Sequence, residues 1–103
     1  MENQKRIENY GINIGKLPKG KLNKITDVKG VKVGHSTIDT EESKTGVTVI
    51  LPMEDNIFSY KLIAASYVLN GFGKTTGLVQ IEELGTLESI IALTNTLNVG
   101  LVQ

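Results

Sequence analysis

The chain has 103 residues, 40% of them hydrophobic and 21% charged, an ordinary globular composition with room for one small domain. It has no cysteine, which excludes disulfide scaffolds, zinc ribbons and thiol catalysis, and its single histidine, His35, excludes a His-rich metal site. Eleven basic residues balance eleven acidic ones, so the molecule as a whole is no electrostatic binder of nucleic acid.

The charge is nonetheless divided along the chain. Residues 1–32 carry eight Lys or Arg against three acids, a net +5, and the remainder carries −5. These lysines are dispersed among turn residues with Tyr10 as the only aromatic among them, the pattern of a solvated arm rather than a phosphate-tracking one. The first residues, MENQKRIENY, are polar and lack the apolar stretch of a secretory signal. The longest apolar run falls far below the ~20 residues that span a bilayer. The expectation is a cytoplasmic protein with neither membrane nor nucleic acid as partner.

Residues 1–24 hold Gly11, Gly15, Pro18 and Gly20 among polar residues and read as an extended arm with turns. Tyr10, Ile12, Ile14, Leu17 and Leu22 recur along it, which predicts that the arm lies on a surface. Residues 25–103 are expected to form a partial α/β layer of a larger single domain. There, Asp27 precedes a turn at Lys29-Gly30, Val31-Lys32-Val33 alternates as a half-buried strand does, and residues 36–45 read as a polar connection. Residues 46–52, GVTVILP, are apolar or β-branched at nearly every position, the mark of a strand covered on both faces.

Residues 61–70, KLIAASYVLN, suit a helix with Leu62, Ala65 and Leu69 on one face. Asn70-Gly71 would close it, since both residues tolerate a left-handed backbone. The segment NGFGKTTG then leads into a second helix, with Thr76 as its cap, Leu78, Ile81 and Leu84 as its apolar stripe, and Gln80 and Glu83 turned to water. Gly85 stops it. Residues 89–94, SIIALT, read as a second short apolar strand, and residues 95–103 begin another element. Two helices cannot cover strands that are apolar on both faces, so the inventory reads as one piece of a larger layered α/β fold.

Little of the polar complement points to chemistry by itself. Gly73-Lys74-Thr75 resembles the end of a phosphate-binding P-loop, but Val68 stands where the motif needs its first glycine, and the segment before it reads as helix rather than strand. A site for another anion or a substrate carboxylate at the start of the next helix stays open. His35, Ser36 and Asp39 are too close in sequence to converge as a triad, which leaves His35 as a hydrogen-bonded structural residue. Glu82, Glu83 and Glu88 make no facing pair, and no metal-ligand spacing is present.

Four blocks taken together, ITDVKGVKVGH, TGVTVILP, NGFGKTTGLVQIEELGT and ALTNTLNVG, resemble the N-terminal part of the L-aminopeptidase/D-esterase (DmpA-type) family, which includes β-peptidyl aminopeptidases. The resemblance covers about residues 10–103, in the expected order. It implies the N-terminal piece of an αββα sandwich, made as a precursor that cleaves itself so that a serine becomes the first residue of the second chain. That serine is the nucleophile and its α-amine can act as base. It implies no metal and no organic cofactor, and it implies a homo-oligomer that hydrolyses N-terminal amino-acid amides, esters or peptides.

None of the serines here, Ser36, Ser43, Ser59, Ser66 and Ser89, matches that nucleophile, so no catalytic residue is assigned within the chain. Its partner would be the nucleophile-bearing downstream segment. Two groups of matched positions are candidates for substrate binding: Asn70, Gly71, Gly73, Lys74 and Thr75 in the Gly-rich loop, and Thr94, Asn95, Thr96 and Asn98 after a buried strand. The structural alternative is that these side chains satisfy turn backbones and subunit contacts. At the level of the whole chain, the alternative is a non-catalytic paralogue or interaction module that pairs its sheet with another chain.

Overall fold

Val47, Val49 and Leu51 alternate with Thr48 and Ile50 along the strand that organises the molecule. The computed structural model describes residues 4–103. In chain order its elements are β1 (Lys32–Asp39), β2 (Lys44–Leu51), β3 (Leu62–Ile63), α1 (Leu78–Leu84), β4 (Thr86–Leu87), β5 (Ile91–Leu93) and a single helical turn α2 (Val99–Val102). Short 3₁₀ turns occur at Ile7–Tyr10, Ile25–Asp27 and Thr96–Asn98.

The main sheet is antiparallel in the order β1-β2-β5, with His35 opposite Thr48, Thr48 opposite Leu93 and Ile50 opposite Ile91. Because side chains alternate across a strand, Val33, His35, Thr48, Ile50, Ile91 and Leu93 share one face. Ile38, Val47, Val49, Leu51 and Ala92 share the other. Both faces are therefore apolar, the composition of a strand that needs cover on two sides.

That cover is incomplete. Ile57 is the one buried hydrophobic side chain among the described residues, and β2 is half-buried from Thr45 to Leu51. Helix α1 packs against β4 rather than over the three-stranded sheet. The chain exposes 9302 Å², whereas a compact monomer of 11.2 kDa exposes about 5,700 Å². Its radius of gyration is 16.2 Å, against about 13 Å for a closed domain of this length. The surplus area is several times the roughly 800 Å² that one partner contributes to an ordinary interface. A piece of a layered fold has these proportions.

Several expectations are corrected. The segment 61–70 is not a helix. Leu62 and Ile63 pair antiparallel with Leu87 and Thr86, Ala64 N–H donates to Gly85 O at 2.9 Å, and the chain runs on without regular structure to Asn70. A ten-residue amphipathic helix is marginal without a surface to pack on, and here pairing with β4 prevails. Nor does Asn70-Gly71 turn left-handed; that conformation falls on Gly77 and Gly85, which bracket α1. Thr76 does not cap α1, because Gly77 occupies the cap position and no side chain bonds there.

Gln80 is half-buried rather than turned to water, its amide donating to Thr86 O at 3.2 Å. Residues 36–45 are not a connection but the far end of a hairpin: Ser36–Asp39 and Lys44–Thr45 belong to strands, and the turn itself is residues 40–43. The second apolar strand is shorter than residues 89–94 and confined to Ile91–Leu93. On the arm, Ile14 and Leu17 are 74% and 88% exposed.

Candidate functional site

The Thr94–Asn98 group is placed by the end of β5. As the strand runs out, Asn95 adopts an extended backbone and caps the 3₁₀ turn Thr96–Asn98, its carbonyl oxygen accepting Asn98 N–H at 3.1 Å. Its amide nitrogen donates to Thr45 Oγ1 at 3.1 Å, at the start of β2. Both ends of the Asn95 side chain are engaged within the chain. Thr96 is exposed, and Thr94 and Asn98 are half-buried.

The Gly-rich loop is built differently. Asn70 Oδ1 accepts Phe72 N–H at 3.0 Å, a local turn that the sequence i, i+2 spacing of an Asx motif favours. Gly71, Gly73, Lys74 and Thr75 are all exposed, and Lys74 Nζ lies 5.9 Å from the centroid of the Phe72 ring, within cation–π range. Helix α1, with seven residues, follows without a side-chain cap. Among the described residues no hydrogen bond or ion pair joins this loop to the Thr94–Asn98 group.

Two open grooves lie elsewhere. One, of about 480 Å³, is enclosed by the arm between Ile7 and Asn23. The other, of about 510 Å³, runs between Lys24–Thr26 and the sheet face bearing His35 and Thr48. Neither is lined by a predicted substrate-binding residue.

His35 Nδ1 lies 2.8 Å from Thr48 Oγ1, directly across the ladder, so its ring is held by a cross-strand hydrogen bond. Ser36 occupies the opposite face of β1, and Asp39 is ion-paired with Lys44. A triad from these residues is thus excluded by the pleat as well as by their proximity. No group of three or more acidic or histidine side chains is placed to hold a metal ion among the described residues.

Ser66, which matches no nucleophile in the sequence, is singled out by the structure. Its hydroxyl oxygen is enclosed and has no hydrogen-bond partner among the described residues. An isolated Ser in an apolar run leaves no sequence signal of this kind. Electrostatics around the sheet are mild. Glu54 is held below its ordinary range by the hydrogen bond and charge of Lys32, 2.5 Å away, in a pair that solvent screens.

Comparison with known proteins places this arrangement. The model of peptidase family S58 matches residues 23–103. The β-peptidyl aminopeptidase BapA of Sphingosinicella xenopeptidilytica is 39% identical over 106 residues, which cover 94% of this chain and 26% of that protein. BapA of Sphingosinicella microcystinivorans is 34% identical, with 95% and 26% covered. Among solved structures, the PH0078 protein of Pyrococcus horikoshii OT3 superposes with a TM-score of 0.80 at 51% identity, over 90% of this chain and 29% of that one. A Burkholderia sp. β-aminopeptidase superposes with a TM-score of 0.82 at 45% identity, over 93% and 28%. The chain spans about a quarter of the length of the curated relatives it matches. The fold class follows: a mixed α/β segment that forms the N-terminal piece of an αββα sandwich.

Proposed function

This chain belongs to peptidase family S58, and we propose that it is the scaffold and pocket-lining portion of a self-processing serine aminopeptidase. The nucleophile of that enzyme lies outside residues 1–103. The observation that carries this reading is the superposition at 45–51% identity on only 28–29% of the solved chains, by a segment whose sheet is apolar on both faces and largely uncovered. The remainder of such a polypeptide supplies the missing layers.

The serines of the segment support the same division. Ser36 has no base beside it in the sheet, Ser66 is enclosed without a partner, and Ser89 Oγ bonds the carbonyl of Ile90 at 3.0 Å. The chemistry of the complete enzyme is attack by a serine hydroxyl on an N-terminal amide or ester, with the serine's own α-amine as base. That amine is freed when the precursor cleaves itself, and its ordinary pKa of ~7.7–8 suits the task. The oxyanion of the acyl transfer needs positioned donors. Thr94, Thr96, Asn98 and the loop Asn70–Thr75 would then border the bound substrate, and the names of the relatives favour a β-peptidyl substrate.

Intact mass measurement of the purified polypeptide that carries this chain tests the proposal. Two chains, the second beginning with serine, are expected. A single uncut chain that hydrolyses aminoacyl amides contradicts self-processing. A single chain without hydrolase activity supports a non-catalytic interaction module instead.

A further inference from the structure

Among the candidate substrate-binding residues only Lys74 is charged. Residues 62–81 contain no Asp or Glu, and residues 89–103 contain no charged side chain at all. Local hydrogen bonds sort the polar atoms that remain. Asn70 Oδ1 accepts Phe72 N–H and Asn95 Oδ1 accepts Asn98 N–H, so these two side-chain acceptors are spent inside their own turns. In the Gly-rich loop the side-chain groups left over are the Asn70 amide nitrogen, the Lys74 ammonium and the Thr75 hydroxyl. Two of these are donors only, and the third is able to donate. The Phe72 ring, with its centroid 5.9 Å from Lys74 Nζ, keeps the positive charge on the loop.

Charge then decides which end of a substrate this loop can border. An aminopeptidase substrate carries an ammonium at its N-terminus, and a lysine without a neighbouring carboxylate repels it. A free peptide carries a carboxylate at its other end. An ammonium and an amide donor bind that group through charge-assisted hydrogen bonds.

We propose that Lys74 reads the C-terminal carboxylate of the substrate, on the leaving-group side of the scissile amide, and so makes short free peptides better substrates than their C-terminal amides. The inference deepens the aminopeptidase reading and rests on it. Hydrolysis leaves this carboxylate on the departing amine product, so the same contact holds that product until it dissociates. The substrate ammonium is bound by acceptors outside the two candidate groups.

The test uses the complete polypeptide and pairs of substrates that differ in one group. β-Alanyl-leucine and leucyl-leucine are each assayed as the free acid and as the C-terminal amide. Both members of a pair are run on one preparation, so the ratio of their kcat/KM values does not depend on the fraction that is folded. The parent is expected to favour the free acid by roughly tenfold, a preference that shrinks as salt rises. Lys74→Met should bring the ratio close to one, chiefly by raising KM for the acid. Lys74→Arg should keep it well above one, and Lys74→Glu should reverse it. A parent without preference for the acid, or a Lys74→Met variant that keeps the parent's ratio, overturns the inference, while turnover of the amides leaves the aminopeptidase reading standing. A polypeptide that cleaves none of these substrates overturns both.

Discussion

The side-chain amide of Asn95 donates to Thr45 Oγ1 at 3.1 Å, joining the end of β5 to the start of β2 across fifty residues of chain. Its other end caps the 3₁₀ turn that opens the Thr94–Asn98 group. The residue is therefore a joint between the sheet and a candidate pocket wall. Replacing it tests both bonds at once. Asn95→Ala should lower stability by about 1–2 kcal/mol, a lost cap and a lost side-chain bond together. Asn95→Asp keeps the cap acceptor and should lose about half as much. Denaturant midpoints of the two variants check the ordering, and equal losses would contradict a separate contribution from the cap.

Gly46 and Gly34 face each other's strands in the same hairpin but stand in different surroundings. A Cβ on Gly46 would lie 2.5 Å from Ser36 O and 3.2 Å from Thr37 Cα, both backbone atoms that cannot swing aside. A Cβ on Gly34 would meet nothing within 4 Å. Gly46→Ala should cost about 2 kcal/mol or more through displacement of β1, and Gly34→Ala should be neutral or slightly stabilising. Thermal unfolding of the two alanine variants distinguishes them, and equal midpoints would contradict the close approach.

Ser66 carries an enclosed hydroxyl without a partner. Removing it leaves no partner behind in turn, so Ser66→Ala should leave stability unchanged or raise it by up to about 1 kcal/mol. A fall of similar size in the complete polypeptide would show that another part of the protein supplies the missing bond. Activity should be unaffected, because this hydroxyl has no hydrogen-bond partner to take its proton.

Glu8 links the arm to pH. Its carboxyl is held below its ordinary value of 4.5, first by the hydrogen bond from Lys19, then by the charges of Lys19 and Arg6 and the Asn23 amide, against the opposing effect of burial. A carboxylate with a depressed pKa stabilises the folded arm at pH values above 4.5, and this contribution disappears as pH falls through the lower folded-state value. The carboxyl carbon of Glu8, followed by NMR, should titrate with a midpoint below 4.5, and Lys19→Met should move that midpoint upward. A midpoint unmoved by the substitution would contradict the closure of the loop through Lys19.

The parts of this fold that were legible in the sequence are those with a local cause. GVTVILP announced β2 because β-branched residues run between Gly46 and Pro52, and Gly85 announced the end of α1, where it adopts φ 66°. The remainder depends on partners distant in the chain. Ser36–Asp39 looks like a linker because three of its four side chains are polar and polar residues follow to Thr45, yet its backbone pairs with Lys44–Val47. Leu62 and Ile63 carry a helical pattern but find their partners at Leu87 and Thr86. Among the candidate site residues, Gly73-Lys74-Thr75 stood out by its likeness to the end of a P-loop, and the Thr94–Asn98 group only through the family blocks. The double engagement of Asn95 left no sequence mark, since Thr45 lies in another strand.

The central claim is that residues 1–103 form the scaffold of an S58 aminopeptidase and that its nucleophile lies elsewhere. A serine-directed acylating or phosphonylating probe, applied to the active polypeptide and located by peptide mass mapping, tests it most directly. One labelled serine is expected, outside residues 1–103, with loss of aminopeptidase activity in proportion to labelling. Activity-coupled labelling of Ser36, Ser43, Ser59, Ser66 or Ser89 would contradict it.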